Sequence, residues 1–308
     1  EVENKGIEFN LDGIIMEKDD LNWTVNANIG INRNKLKKLN SNLDFQLGPS
    51  VGFSQAYPIL FMVDQPLGIY WGAETDGVYS SWEEANASGI AGAAPGEIRY
   101  INHYVDLDDS GQPLEIQEIN FDDYVKIGDP NPDFTYSISN NFTYKNWDAN
   151  ILFTGQKGGD LFWVDSWQLS GLQKTTNILN SSYANSWIAP LTYQNGNYIY
   201  DESIGNLNSA SHPGAMIETG SRAISSDRNI FDGSFIRLKN INIGYNFDLK
   251  NGKNMRIYLA GQNLIVWTDY PGYDPEVRTY TKNPQKRGVD FGTYPGTRSF
   301  LMGLKLNY

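Results

Sequence analysis

Apolar and polar residues alternate along several stretches of this chain. In RSFLMGLKLNY at its end, Phe300, Met302, Leu304, Leu306 and Tyr308 share one side of a strand, because successive β-strand side chains point to opposite faces. The alternation recurs in segments that begin at Ile7, Trp23, Phe134, Trp147, Ile241 and Met255. Several of these segments run for about ten residues, which matches a tilted strand that crosses a bilayer.

The polar positions of these segments are mostly Asn, Ser and Thr, as expected for a watery lumen. The pattern therefore predicts an all-β fold with about eight or nine transmembrane strands of a barrel. A soluble all-β protein with half-exposed sheets is the alternative. Between Arg33 and Asp133, parity requires an even number of spanning strands, and only one, near Gln65 to Tyr79, is evident. In the segment from Phe134, Asn140 interrupts the apolar face and predicts a bulge or kink.

The predicted connections differ between the two ends of the strands. Tight turns follow Tyr144 and Phe247, and the next strands begin at Trp147 and Met255. Together with Tyr308, these residues are predicted to lie at one membrane rim, where Tyr144, Trp147, Phe247 and Tyr308 form an aromatic girdle. The other rim is predicted to carry long extracellular loops, approximately residues 80–132, 160–231 and 269–297.

The charge balance narrows the choice of partners. The 308 residues include 24 basic and 36 acidic side chains, a formal net charge of −12. No basic stripe exists to neutralise phosphates, so no nucleic-acid partner is expected. The absence of cysteine excludes disulfides and thiolate chemistry. The start at Glu1, without Met, is interpreted as a cut, a processed end or a fragment boundary.

Motifs for catalysis are lacking. The two histidines, His103 and His212, are isolated, and no HExxH, GxSxG, GxGxxG or phosphate loop occurs. A carboxylate pair such as Asp122 and Asp123 is expected by chance in an acidic chain. No catalytic residue is assigned, and the protein is predicted not to be an enzyme.

DLDDSG is the one candidate metal site. It opens like a calcium loop, with oxygen donors at Asp106, Asp108 and Ser110 before Gly111. Its twelfth position is Gln117 instead of Glu, although the carboxylates that follow, Asp122 and Asp123, can substitute. No cofactor is otherwise expected, and an acidic turn without an ion is the favoured interpretation over Ca²⁺ or another divalent cation.

The loop 160–231 is rich in aromatic residues. Such rings bury large areas at low entropic cost, so they are candidates for stacking on sugars or for anchoring a partner protein. The alternative, which we favour, is that they pack the loops together. The candidates are Trp163, Trp167, Trp187, Tyr193, Tyr198 and Tyr200.

Several segments resemble the SusC/RagA family of TonB-linked outer-membrane transporters. They cover nearly every predicted strand, in order. The segments are NKGIEFNL, QPLGIYWGAETDGVY, GDPNPDFTYSISNNFTYKNWDANILFTGQKGGDLF, GSFIRLKNINIGYNF, IYLAGQNLIVWTDYPGYDPEV and GVDFGTYPGTRSFLMGLKLNY.

The resemblance implies that residues 1–308 form the C-terminal portion of a plugged barrel of about 22 strands, with the plug outside this chain. It implies an importer of oligosaccharides or peptides in the outer membrane of a Gram-negative bacterium, contacting outer-membrane lipid. The implied partners are a SusD-like surface lipoprotein and the TonB–ExbB–ExbD complex, acting through the plug. A siderophore or cobalamin receptor and a soluble β-sandwich glycan-binding module remain alternatives.

Overall fold

The computed structural model describes most of the chain. The described residues are 1–40, 43–52, 56–170, 177–201, 203, 210–214, 224–249, 253–277, 279–280 and 282–307. No helix in these ranges is long and apolar enough to span a membrane.

Long strands form one antiparallel sheet. They are β1 (Val2–Lys18), β2 (Leu21–Leu36), β9 (Pro132–Tyr144), β10 (Trp147–Gly158), β15 (Phe235–Asp248), β16 (Asn254–Trp267) and β18 (Ser299–Asn307). Their order in the sheet is β1-β2-β9-β10-β15-β16-β18, so each long strand lies beside the next long strand along the chain. We call this seven-stranded sheet the wall.

Shorter elements lie between the long strands. The strands are β3 (Phe45–Leu47), β4 (Ile59–Met62), β5 (Ile69–Gly72), β6 (Thr75–Val78), β7 (Ile98–Tyr100), β8 (Val125–Gly128), β11 (Leu161–Trp163), β12 (Leu191–Gln194), β13 (Asn197–Tyr200), β14 (Ile230–Phe231) and β17 (Val289–Asp290). The helices are α1 (Trp82–Ala87), α2 (Ser166–Leu169) and α3 (Asn180–Ala184). We call residues 37–131, 159–234 and 268–298, as far as they are described, the loop assembly.

Register gives the wall one apolar and one polar face. Phe9 pairs with Ile29, Ala149 with Ile243 and Leu259 with Met302, so apolar side chains meet apolar side chains across neighbouring strands. This face lies open, and Phe300 and Met302 are 79% and 76% exposed. A one-residue slip would turn each apolar row to the polar side, so the alternation fixes the register.

The two ends of the wall have different connections. At the turn end, Tyr144 pairs with Trp147 across a turn in which Lys145 has φ 52°. Trp147 packs edge-on against Tyr245, with ring centroids 4.9 Å apart, and Phe247 pairs with Met255. The predicted girdle residues Tyr144, Trp147 and Phe247 thus share one end, and Tyr308 lies outside the described residues.

Two details of the predicted wall are wrong. β2 pairs directly with β9, so no spanning strand separates them, and the described residues contain seven long strands where about eight or nine were expected. The segment near Gln65 to Tyr79 instead contributes the short strands β5 and β6. Ile69 and Tyr70 in β5 are fully buried, because this strand is covered on both faces and does not border the wall.

Asn140 also produces no bulge. It pairs in register with Val25 and Ile151, and its Oδ1 accepts a hydrogen bond of 3.2 Å from the Trp23 indole N–H. The amide is therefore accommodated on the apolar face by a partner on the neighbouring strand. Register shifts of the wall lie elsewhere, and one of them is at Lys239, which has no cross-strand partner in either ladder of β15.

The buried core lies in the loop assembly. Its main cluster contains Val51, Ile59, Tyr70, Phe162, Val164 and Val289. β11 is central to it, because it pairs with β14 on one side and in parallel with β17 on the other. Three segments that are distant in sequence are thereby joined into one packed layer beside the loop end of the wall.

Candidate functional site

A chain of amide side chains crosses the polar face of the wall. Asn26 donates to Asp12, Asn141 to Asn26 at 2.9 Å, and Asn150 to Asn141 at 2.7 Å. Asn240 extends the chain by donating to Asn150 at 3.4 Å. Asn150 also donates to the Ser139 hydroxyl at 2.9 Å, and the donors and acceptors that this row of amides leaves unused are available to water or a polar solute. We call this row, which runs from β1 to β15, the amide ladder.

An ion pair lies beside the amide ladder. Arg256 on β16 reaches over β15 to Asp148 on β10, with Nε 2.9 Å from Oδ1, and its Nη2 donates to Asn242 at 2.6 Å. Gly244 lies beneath the guanidinium, where a Cβ atom would collide with it. A glycine in β15 is thus what allows a charge pair to bridge three strands on the polar face.

The polar face therefore offers hydrogen-bonding groups without a catalytic arrangement. The contacts described on this face join amides, a hydroxyl, the Asp12 carboxylate and the Arg256–Asp148 pair, and none of these contacts forms a nucleophile–base pair of the kind that hydrolases use. Such a surface can solvate and guide a polar molecule.

Two of the predicted loop aromatics pack in or against the core. Trp163 is 5% exposed and packs edge-on against Phe231 and Tyr270. Trp167 packs edge-on against Phe162, with centroids 5.4 Å apart. Trp163 is therefore buried and Trp167 is half-buried, which supports the packing alternative for these two rings.

Trp187 holds separate loops together. Its ring lies against Gly96 and Gly214, where a Cβ atom on either glycine would be too close, and its N–H points to the Ser80 carbonyl at 3.4 Å. The ring thus fills a space that three chain segments enclose. This supports the packing alternative for Trp187.

The hairpin β12–β13 carries exposed aromatics. Its turn, with Asn195 at φ 52° and Gly196 at φ 85°, has the positive φ values that a two-residue hairpin turn requires. Tyr193 and Tyr198 pair across the strands with ring centroids 5.1 Å apart, and they are 66% and 73% exposed. Tyr200 is half-buried at the base. Of the six predicted aromatics, Tyr193 and Tyr198 alone form an open ring pair.

The candidate calcium loop is a hydrogen-bonded turn. Asp108 Oδ1 accepts bonds from the Ser110 hydroxyl at 2.7 Å and from the Gln112 N–H at 2.9 Å. These bonds, that of Ser110 foremost, lower the pKa of Asp108. Asp106 accepts a 3.0 Å bond from the N–H of Glu118. The turn therefore satisfies these oxygens without an ion.

The two following carboxylates do not converge on this turn. Asp123 is fully buried and accepts bonds from the N–H groups of His103, Tyr104 and Asn120, whereas Asp122 is exposed. Among the described residues, no group of three or more His, Cys, Asp or Glu side chains is arranged to hold a metal. The histidines are apart, and His103 contacts Glu74 at 2.8 Å.

No family model matches the chain, but known proteins do. It is 34% identical to TonB-dependent receptor P3 of Formosa agariphila and 25% identical to TonB-dependent receptor SusC of Bacteroides thetaiotaomicron. Both alignments cover the whole chain, and they cover 29% and 26% of the two relatives. The chain thus spans less than a third of the length of the curated relatives it matches.

The fold of the chain is also similar to that of a solved structure. A solved structure of the RagAB peptide transporter matches 99% of the chain with a TM-score of 0.70, at 18% identity and over 29% of its own chain. The chain is SusC/RagA-like. The wall matches strands of the RagA barrel and is consistent with a C-terminal part of such a barrel.

One buried cluster of this SusC/RagA-like chain was not predicted. Arg237 on β15 is 3% exposed and pairs with Asp274 at 2.5 Å. Its Nε lies 2.7 Å from Glu276 Oε2, in an ion pair poorly aligned for a hydrogen bond, and Lys239 lies 3.3 Å from the same oxygen. The cluster fixes the segment after β16 to the wall. Arg237 sits among alternating residues, so its only sequence signal was a charge at the end of a strand.

Proposed function

We propose that this chain forms barrel wall, lumen surface and extracellular loops of an outer-membrane nutrient importer that is energised through TonB–ExbB–ExbD. The observation that carries the proposal is the two-faced wall. Its apolar face suits outer-membrane lipid, and the amide ladder lies on the opposite face. The TonB-dependent relatives support this assignment.

A SusD-like surface lipoprotein is the proposed partner, and Tyr193 and Tyr198 are its proposed contact. Their open ring pair offers aromatic area at the loop end, where such a lipoprotein would lie. The ligand would be an oligosaccharide or a peptide, and one structural relative is titled a peptide transporter. An enzymatic role is not proposed, since the relatives are receptors and transporters.

The proposal is tested by purifying the native protein that contains this chain from detergent-solubilised outer membranes. We expect a detergent-dependent species heavier than this chain, with a co-purifying lipoprotein. Replacing both Tyr193 and Tyr198 by Ala should remove the lipoprotein, whereas Tyr294→Ala, at another exposed loop tyrosine, should not. A water-soluble species without a partner would contradict the proposal.

A siderophore or cobalamin receptor is the second candidate within the TonB-dependent group. It predicts the same detergent dependence without a lipoprotein, and uptake of the metal chelate that a protonophore abolishes. The soluble β-sandwich does not fit, because a sandwich buries the apolar face that the wall leaves exposed.

A further inference from the structure

One segment of this acidic chain is strongly basic. From Val277 to Gly288 the sequence has four cationic residues and no acidic one, in a chain whose formal net charge is −12. The four are Arg278, Lys282, Lys286 and Arg287. Arg278 lies outside the described residues, so the structural argument rests on the other three.

Two cavities adjoin at Arg287. One has a volume of about 280 Å³ and the other of about 270 Å³, and Val277, Arg287 and Gly288 line both. The lining of the first cavity includes three conformationally restricted residues, Pro130, Pro132 and Pro275. Together the cavities form a notch around one cation, with the size of a small ligand's terminal group.

The backbone beneath this cation is held in place. The hydroxyl of the fully buried Tyr70 donates to the Arg287 carbonyl at 3.0 Å, and the Phe162 N–H donates to the Gly288 carbonyl at 3.0 Å. Gly288 has φ 72°, and a Cβ atom there would lie 2.5 Å from the Tyr70 hydroxyl. Arg287 therefore projects from a fixed base.

The guanidinium itself has no carboxylate partner among the described residues. Its one described contact is a 3.5 Å bond to the Asn131 amide oxygen, which already accepts a 2.7 Å bond from Asn34. Glu276 lines the first cavity, but it is already engaged by Arg237 and Lys239. Four other arginines of the described chain do pair with carboxylates, and these are Arg33, Arg99, Arg237 and Arg256.

We infer that the notch around Arg287 binds a carboxylate of the imported ligand. A guanidinium donates two parallel hydrogen bonds to a carboxylate, which an open and fixed arginine is suited to do. Lys286 lines the second cavity and rests on the Tyr280 ring at 4.3 Å, so it adds positive charge beside the site. The inference rests on the proposed import function and specifies its substrate class.

The test measures binding to the purified native protein that contains this chain. The probes are C-terminally amidated tetraglutamate against C-terminally amidated tetraglutamine, and tetragalacturonate against its full methyl ester, which separate a peptide source of the carboxylate from a sugar-acid source. We expect at least one acidic probe to bind more tightly than its neutral counterpart. Arg287→Gln should weaken that binding about tenfold or more, and high salt should weaken it as well.

Lys282→Gln is the matched control, because it removes one charge from the same segment but lines neither cavity. Arg287→Lys should restore part of the affinity, since the charge is kept and the planar fork is lost. Equal losses of affinity in Arg287→Gln and Lys282→Gln would overturn the site, because the binding would then depend only on the overall positive charge of the segment. Equal affinity for acidic and neutral probes would overturn it too.

These outcomes are separable from the proposed function. Energised uptake in cells without any preference for acidic probes would refute only the carboxylate site. Preference for acidic probes without energised uptake would refute the import function and leave the binding site standing.

Discussion

The wall and the loop assembly place their apolar side chains in opposite ways. In the wall, residues such as Phe9, Leu304 and Phe300 are exposed, and the opposite face is tied by amides. In the loop assembly, Tyr70, Phe162 and Val289 are fully buried. An apolar face left open in this way is typical of strands that face lipid, whereas the loop assembly buries its own core as soluble domains do.

The largest expected effect is in the loop core. Phe162→Ala should lower the free energy of unfolding of the loop assembly by about 3–5 kcal/mol, because a fully buried ring leaves a cavity. Limited proteolysis should then cut the loops. The wall should stay folded, so the unheated and heated samples should still migrate differently in electrophoresis. Tyr294→Ala, at an 82% exposed ring, should change neither readout. Loss of the wall together with the loops would show that the two regions fold as one.

A buried charge is expected to cost nearly as much. Asp274→Ala leaves Arg237 without its shortest ion pair and should destabilise the segment after β16 by about 3 kcal/mol. Proteolysis near Tyr273 during a urea titration measures this. Lys35→Ala breaks the exposed Lys35–Asp64 pair and should cost less than about 1 kcal/mol. Similar costs at the two sites would mean that burial of Arg237 contributes nothing.

The assignment of the two faces of the wall can be tested by introducing one positive charge on each face. Leu259→Arg places a cation on the apolar face and should destabilise the inserted protein by about 2–4 kcal/mol. Gln262→Arg places the same side chain on the polar face of the same strand and should be tolerated. Unfolding in phospholipid vesicles, followed by tryptophan fluorescence, compares the two variants. Equal stability of both would contradict the assignment of the faces.

The wall could be predicted from the sequence because the positions and faces of its strands follow from residues that are neighbours in the chain. Alternation around Trp23, Phe134 and Ile241 fixes strand, face and register, and each long strand pairs with the next one. The loops could not be predicted in the same way, because composition does not tell a buried ring from an outward one. The exposed Tyr193 and the buried Trp163 are both aromatic residues of one long loop, and only the pairing of β11 with β14 and β17 distinguishes them.

Part of the candidate site could be predicted from the sequence, and part could not. The asparagines of the amide ladder were visible as polar positions, but the hydrogen bonds between them became evident only with the register of neighbouring strands. Arg237, near the start of β15, and Arg287, just before β17, carry no sequence signal that tells their surroundings apart. One is buried against Asp274 and the other is open, because their surroundings come from residues distant in the chain.

The smallest expected effect is a pH dependence at the boundary between the two regions. Burial raises the pKa of the Asp160 carboxyl, and the nearby Asp129 and Asp232 raise it further. The folded chain therefore holds this proton at a higher pH than the unfolded chain does. The contribution of Asp160 to stability is then greatest at acidic pH and declines as pH rises from the unfolded toward the folded pKa.

Asp160→Asn removes this ionisation and keeps an oxygen that accepts the 2.7 Å bond from the Asp129 N–H. We expect the variant to be more stable at pH 7 by less than about 1 kcal/mol, because water screens a half-buried carboxylate. Thermal melts of the loop assembly between about pH 4 and about pH 8 measure the difference in stability, because this range begins near the ordinary carboxyl pKa and extends above it. Asp109→Asn, at an exposed carboxyl, reports the effect of removing one negative charge. If both variants show the same pH profile, the boundary carboxyl behaves as an ordinary surface charge, and the burial that distinguishes the loop assembly does not extend to the edge of the wall.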